Sequence, residues 1–151
     1  MLLSILGVYF EPCYSRARVI TTKVIALTLI LDDIYDVYRT LEESQRLTEA
    51  IQRWDTKVVH QLPEYMKDYY LKVIHTFEEF EDLLASGEKY RITYLKEAMK
   101  DLCKAYFEES KWRDQHYVPT LEEHLRVSII SAAYPMLEYC PSFCNNFLYH
   151  G

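Results

Sequence analysis

The chain has 151 residues, half of them hydrophobic, with 17 basic and 23 acidic side chains and a formal charge of −6 at pH 7. That is one domain at most, with enough apolar mass for a real core. The acidic balance, with no dominating basic stripe, excludes a nucleic-acid backbone as partner. An anionic substrate needs cations to bridge the repulsion. Fourteen tyrosines and only three glycines suit long helices and few tight turns.

The opening Met1-Leu2-Leu3-Ser4-Ile5-Leu6 has no positive n-region and no small-residue cleavage site, so it does not read as a signal peptide. Lys23 interrupts the best apolar run, and no stretch reaches the length of a membrane span. Cys13, Cys103, Cys140 and Cys144 show neither zinc-type pairing nor a dense disulfide framework. Reduced, structural thiols in a soluble compartment are the expectation.

After the Glu11-Pro12 break, residues 15–38 read as one helix. Its aliphatic stretch Val24-Ile25-Ala26-Leu27-Thr28-Leu29-Ile30-Leu31 ends in Asp32-Asp33-Ile34-Tyr35-Asp36, three carboxylates within five positions. The stretch is apolar on nearly every face, which predicts a central helix of a bundle. Arg16, Arg18 and Lys23 lie toward its start and the acids at its far end, a polarity opposite to what the helix dipole prefers. Arg16 and Arg18 are expected to sit in a solvated first turn, and Lys23 to snorkel.

Thr40-Leu41-Glu42-Glu43 is a capping box opening a helix to about Trp54. A polar connection, 55–61, leads to Pro63 at the start of the next helix. There Met66, Tyr69, Tyr70, Val73, Ile74, Phe77, Phe80 and Leu84 recur at three- and four-residue steps until Ser86-Gly87. Ile92, Leu95, Met99, Leu102 and Tyr106 carry the same period into a helix ending near Trp112. Val118-Pro119 breaks the chain, and Thr120-Leu121-Glu122-Glu123 caps a helix through about Ala133, which Pro135 kinks or ends. The fold class is all-α.

Asp32 and Asp36 are one helical turn apart on one face, with Asp33 beside them. Three unpaired anions next to a buried stripe repel each other and are costly to dehydrate. A hard divalent cation removes that cost, and an all-oxygen donor set suits Mg²⁺, which keeps several waters and often completes its shell with substrate phosphates. Adjacent acids are also common on solvated helices, so the string needs its context. The five histidines share no spacing with one another or with a carboxylate pair, and none is assigned as a ligand. Tyr35, Tyr38, Tyr69, Tyr70, Phe77, Trp112 and Tyr134 are mostly core by default, with some of them candidates to line an apolar pocket where aromatic faces stabilise cations. Ser131-Ala132-Ala133-Tyr134-Pro135 is either a kinked core helix or a break whose exposed carbonyls point at a cation.

These segments together resemble the plant class I terpene synthases of the sesquiterpene cyclase type. The resemblance rests on Leu6-Gly7-Val8-Tyr9-Phe10-Glu11-Pro12, on Asp32-Asp33-Ile34-Tyr35-Asp36-Val37-Tyr38 and on Thr48-Glu49-Ala50-Ile51-Gln52-Arg53-Trp54-Asp55. It continues through Leu62-Pro63-Glu64-Tyr65-Met66-Lys67 and Tyr117-Val118-Pro119-Thr120-Leu121-Glu122-Glu123. It implies a partial isoprenoid-synthase helical bundle, with residues 1–151 forming an incomplete metal-binding catalytic domain.

By that resemblance Asp32, Asp33 and Asp36 are the metal motif, the first and last as Mg²⁺ ligands. Three Mg²⁺ ions, or Mn²⁺, serve the complete enzyme. Asp32 and Asp36 with Ser131, Ala132, Ala133 and Tyr134 form the substrate site, the last four as the helix break facing an allyl cation. The implied reaction is ionisation and cyclisation of farnesyl diphosphate, a cytoplasmic activity with no nucleic acid, membrane span or obligate protein partner. The family's second metal motif, N/D-D-x-x-S/T-x-x-x-E, and its Arg-x-Arg loop do not occur in this sequence. The expectation is therefore a chain that binds Mg²⁺ weakly and does not turn over substrate alone. A trans-prenyl diphosphate synthase and a non-catalytic helical remnant are the alternatives.

Overall fold

The computed structural model describes residues 15–37 and 40–132. They form five α-helices: α1 (Ser15–Val37), α2 (Leu41–Arg53), α3 (Glu64–Leu83), α4 (Tyr90–Asp114) and α5 (Leu121–Ser131), with short 3₁₀ turns at Thr56–Gln61 and Ser86–Glu88. No strand occurs among the described residues. Helix α4 packs against each of the other four and is the centre of the bundle.

Helix α1 contains neither glycine nor proline, so nothing interrupts it across 23 residues. It buries Ala17, Ile20, Val24, Leu27, Leu31, Ile34 and Tyr35, a stripe at three- and four-residue steps. The expectation of an all-round apolar, central helix is corrected on this point. Val19, Leu29 and Ile30 are exposed, and the helix lies on the flank of α3 and α4. Lys23 reaches Glu79 of α3 in an exposed ion pair.

The opposing helices bury the predicted positions. Met66, Tyr70, Val73, Phe77 and Phe80 of α3 meet Ile92, Leu95, Met99 and Leu102 of α4, all essentially inaccessible to solvent. Cys103 is a free, buried thiol whose proton affinity burial pushes up, which is the inert structural role expected of it. Tyr35, inside the acidic motif, is also buried and donates its hydroxyl to Thr48 Oγ1 at 2.5 Å. Thr48 passes its own proton to the Ser44 carbonyl at 2.8 Å.

Both capping boxes form. Thr40 Oγ1 accepts the Glu43 N–H at 3.2 Å while Glu43 Oε2 accepts the Thr40 N–H at 3.1 Å. Thr120 and Glu123 do the same for α5 at 3.3 and 2.8 Å. Pro63 occupies the residue just before α3 rather than its first turn.

Residues 55–61 are not the polar connection the sequence suggests. Asp55 caps a 3₁₀ turn by accepting the Lys57 N–H at 3.0 Å, and Val58 is buried beneath it. The corner before it is held by Trp54, whose φ of 52° is left-handed and costs a non-glycine residue about 1 kcal/mol. Tertiary packing holds it there. Its indole stacks edge-on against Phe77 at 4.9 Å, and the Tyr70 hydroxyl donates to the Ala50 and Asp55 carbonyls at 3.1 and 2.9 Å.

Candidate metal centre

Two corrections to the expected helix ends shape the site. Helix α4 runs to Asp114, and His116 beyond it adopts a left-handed φ of 50°. Tyr117 then donates its N–H to the Trp112 carbonyl at 2.9 Å and His116 donates to the Arg113 carbonyl at 3.3 Å. This bond pair is a Schellman turn, a motif that glycine usually marks. With histidine in its place the glycine signal is absent, and Val118-Pro119 is what marks the break in the sequence. The turn folds residues 116–119 back across the end of α4, where the Tyr117 hydroxyl donates to Glu123 Oε2 at 3.0 Å and joins the α5 cap.

Between that turn and α1 lies an open cavity of about 670 Å³. Asp32 and Asp36 of α1 line one side, Glu109, Trp112 and Arg113 of α4 the other, with the 116–119 turn and His124 as the rim. Ile34 and Tyr35 are buried, while Asp32, Asp33 and Asp36 face outward. The motif thus divides by its period: its apolar residues anchor it and its carboxylates crown the helix end. Asp33 lies outside the cavity lining.

The electrostatics are those of surplus negative charge. The Asp32 carboxyl is held above the usual aspartate range. Its partial withdrawal from water is the largest cause; the charges of Asp36, Asp33 and Glu109 follow, and the Arg113 guanidinium opposes them. Tyr106, buried on α4 beneath this cluster, has its proton affinity raised by burial first, then by Asp32 and Glu109. One cation answers part of the charge: Arg113 Nη1 donates to Asp36 Oδ1 at 2.7 Å.

Ser131 Oγ donates to Glu109 Oε1 at 2.7 Å, tying the end of α5 to the acidic wall. Ala132 is the exposed cap of α5 and gives its N–H to the Ser128 carbonyl at 3.0 Å. Of the predicted site, then, Asp32 and Asp36 share a cavity, and Ser131 reaches it through Glu109. Ala133 and Tyr134 lie outside the described residues, as do Tyr38, Cys13, Cys140 and Cys144. Trp112 is a half-buried lining residue of the cavity rather than core.

Glu109, Arg113, His116, Tyr117 and His124 carried no sequence signal for the site. An acidic pair, Glu108-Glu109, near a helix end is ordinary surface composition. Only the crossing of α4 over α1 gives Glu109 its neighbours.

The donor set fits a hard divalent cation. Every candidate ligand is a carboxylate oxygen, and the mutual repulsion recorded at Asp32 is what such an ion relieves. Among the described residues, no three of His, Cys, Asp or Glu are grouped closely enough to enclose an ion. Any one ion would therefore draw on one or two carboxylates, with water or phosphate completing its shell, which is the habit of Mg²⁺ rather than of a closed cage. No helix among the described residues is long and apolar enough to cross a membrane.

An α-helical bundle with carboxylates clustered at one helix end, over an open cavity, defines the class as a metal-binding helical domain. Residues 1–147 match the model of the terpene synthase family, metal binding domain, and the chain belongs to that family. It is 61% identical over 130 residues to an alpha-humulene synthase of Zingiber zerumbet, an alignment covering 86% of this chain and 24% of that protein. It is 52% identical over 134 residues to a (−)-germacrene D synthase of Vitis vinifera, covering 88% and 24%.

Among solved structures, isoprene synthase from grey poplar leaves superposes with a TM-score of 0.86 at 36% identity, covering 93% of this chain and 27% of that one. That structure holds three Mg²⁺ ions and dimethylallyl-S-thiolodiphosphate. A limonene synthase with 2-fluorolinalyl diphosphate gives 0.81 at 33% identity, covering 91% and 25%. The chain spans about a quarter of the length of the relatives it matches. Its bundle is accordingly part of an all-α terpenoid-synthase fold.

Proposed function

We propose that this chain carries the aspartate-rich half of a Mg²⁺-dependent diphosphate site, in a sesquiterpene synthase that ionises and cyclises farnesyl diphosphate. Residues 1–151 are read as one incomplete metal-binding catalytic domain. The observation that carries the proposal is that Asp32 and Asp36 face Glu109 across one cavity, with the Asp32 carboxyl raised by withdrawal from water and by converging negative charge. The identity to named sesquiterpene synthases favours cyclisation over the chain elongation of a prenyl diphosphate synthase. A cytoplasmic setting is part of the same reading.

In this reading Asp32 and Asp36 hold Mg²⁺, with Asp33 adding charge at its side. When bound, the ions supply charge neutralisation to the departing diphosphate oxygens. The protein's own contribution is positional. The buried Tyr35 ring, packed on Tyr106, anchors the α1 end, and the Ser131 hydroxyl donates to the Glu109 carboxylate. Trp112, Val118 and Pro119 supply the apolar part of the cavity lining. Ala132 to Tyr134, at and beyond the end of α5, are assigned to the substrate side by the same reading.

The test is a calorimetric titration of Mg²⁺ into the purified chain, with and without inorganic pyrophosphate, followed by incubation with farnesyl diphosphate and analysis of volatiles. Weak Mg²⁺ binding is expected, strengthened by pyrophosphate, reduced at least about tenfold by Asp32→Ala, and without turnover by the chain alone. Binding that is indifferent to Asp32→Ala, or robust terpene product surviving that change, would remove the metal assignment.

A further inference from the structure

We propose that Arg113 is a built-in counter-ion that competes with divalent cation for Asp36 and so sets the metal affinity of this half-site. The proposal rests on the metal reading above and concerns what opposes it. Among the described residues, Asp36 is the member of the acidic triplet that forms an ion pair; Asp32 and Asp33 form none. Its partner comes from 77 positions away, at the last turn of α4, and contacts Oδ1 at 2.7 Å.

The guanidinium is not a loose surface group that happens to swing past. Its second nitrogen, Nη2, donates to the Tyr35 carbonyl at 3.4 Å and to Ser110 Oγ at 3.5 Å. Ser110 is buried and Tyr35 is anchored in the core, so both secondary acceptors are fixed by packing. The planar fork therefore bridges the side chain of Asp36 and the backbone one residue earlier, across α1 and α4. A dication binding Asp36 either shares Oδ1 with this donor or takes Oδ2 within reach of the guanidinium's positive charge. Both side chains remain about half exposed, at 46% and 52%, so the pair is weak enough to open.

Such an arrangement has a chemical purpose. Without a cation, one carboxylate of the triplet is neutralised by the chain itself. With a cation, that charge is redundant and opposes the ion by direct repulsion. In the sequence Asp32 and Asp36 look equivalent, one helical turn apart on the same face. Arg113 makes them differ, leaving Asp32 as the open ligand and Asp36 as the guarded one.

The experiment is a Mn²⁺ titration of the full 151-residue chain, read from the electron paramagnetic resonance of the free ion, with no substrate present. Arg113→Leu and Arg113→Gln are each expected to bind Mn²⁺ about three- to fivefold more tightly than the parent, the scale of an exposed ion pair. Arg113→Lys, which keeps the charge, stays near the parent. The gap between Leu and parent narrows as salt is raised. Far-UV circular dichroism confirms that each variant is folded, and Gln serves if Leu is not.

Equal affinity in parent and neutral variants overturns the proposal, and weaker binding by them reverses it, making Arg113 an orienter of Asp36. Either result, with Mn²⁺ binding still lost in Asp32→Asn, leaves the metal reading standing. Absence of Mn²⁺ binding in every variant, or binding untouched by Asp32→Asn, defeats both.

Discussion

The two ends of α1 handle charge in opposite ways. At the N-terminal end Arg16 reaches Glu88 at 3.6 Å and gives a hydrogen bond to the Leu83 carbonyl at 3.4 Å, while Arg91 approaches the other oxygen of Glu88 at 3.5 Å. Glu88 is buried, and two cations converge on it. At the C-terminal end the charges of Asp33, Asp36 and Glu109 converge on Asp32, and among the described residues Arg113 is the cation that opposes them. The first cluster is complete within the chain and pins α1 against the start of α4. The second carries excess negative charge at the end of a helix whose dipole is already negative there, and has room beside it. The anion of the first cluster is buried with matched partners, and the second cluster is exposed with its charge unmatched among the described residues.

The largest effect is expected at the structural end. Glu88→Gln removes the one anion shared by Arg16 and Arg91 and weakens the bond that Glu88 Oε2 accepts from the Ala85 N–H at 3.4 Å. Removing the buried charge on which two cations converge costs about 2 kcal/mol, a fall in melting temperature of roughly 4–8 °C for a chain this size. Mg²⁺ affinity at the far end of α1 should be unchanged. A Glu88→Gln variant that melts with the parent would make this cluster a surface pair of no consequence.

A smaller loss is expected from Tyr35→Phe, where the two roles meet within one motif. The hydroxyl is lost from a buried bond to Thr48 Oγ1, at about 1 kcal/mol, or roughly 2–4 °C. The ring stays packed 5.7 Å from Tyr106, so the carboxylates keep their positions. Thermal unfolding should therefore shift while Mn²⁺ affinity moves less than twofold or so. A large loss of affinity would show that this bond orients the site rather than merely supporting the fold.

Much of this could be read in the residues themselves. The periodicities of α3 and α4, the two capping boxes and the carboxylate face of α1 are local patterns, and local patterns survive folding. What escaped was decided by contacts distant in sequence. Arg16 was expected to sit in solvent because its partner, Glu88, lies in a turn 72 positions on. Residues 55–61 read as polar because all but Val58 and Val59 are charged or polar, and those two, which pack on the core, have no periodic partners to mark them. His116 in a left-handed turn hid the end of α4, since the usual glycine is missing. At the candidate site the acids were legible as a string, but Glu109 and Arg113 acquire meaning only where α4 crosses α1.

The smallest predicted effect reverses the usual sign. In the folded chain Asp32 holds its proton more tightly than an ordinary aspartate, chiefly through withdrawal from water and then through Asp36, Asp33 and Glu109. Below the ordinary range, about pH 4, folded and unfolded chains are both protonated there and the site costs nothing. As pH rises the unfolded chain ionises first, so stability falls until the folded carboxyl has ionised too, and stays lower above that. Asp32→Asn should therefore stabilise the metal-free protein near neutral pH. Solvent screening at this outward-facing side chain limits the gain to about 0.5 kcal/mol, or roughly 1–2 °C. The gain should vanish below pH 4, where the parent is already neutral, and Mg²⁺ should erase it by stabilising the parent alone. Melting curves of both proteins with chelator, at neutral and acidic pH, check the sign. A destabilised Asp32→Asn at neutral pH would mean that the carboxylate serves the fold, and that the two ends of α1 are alike after all.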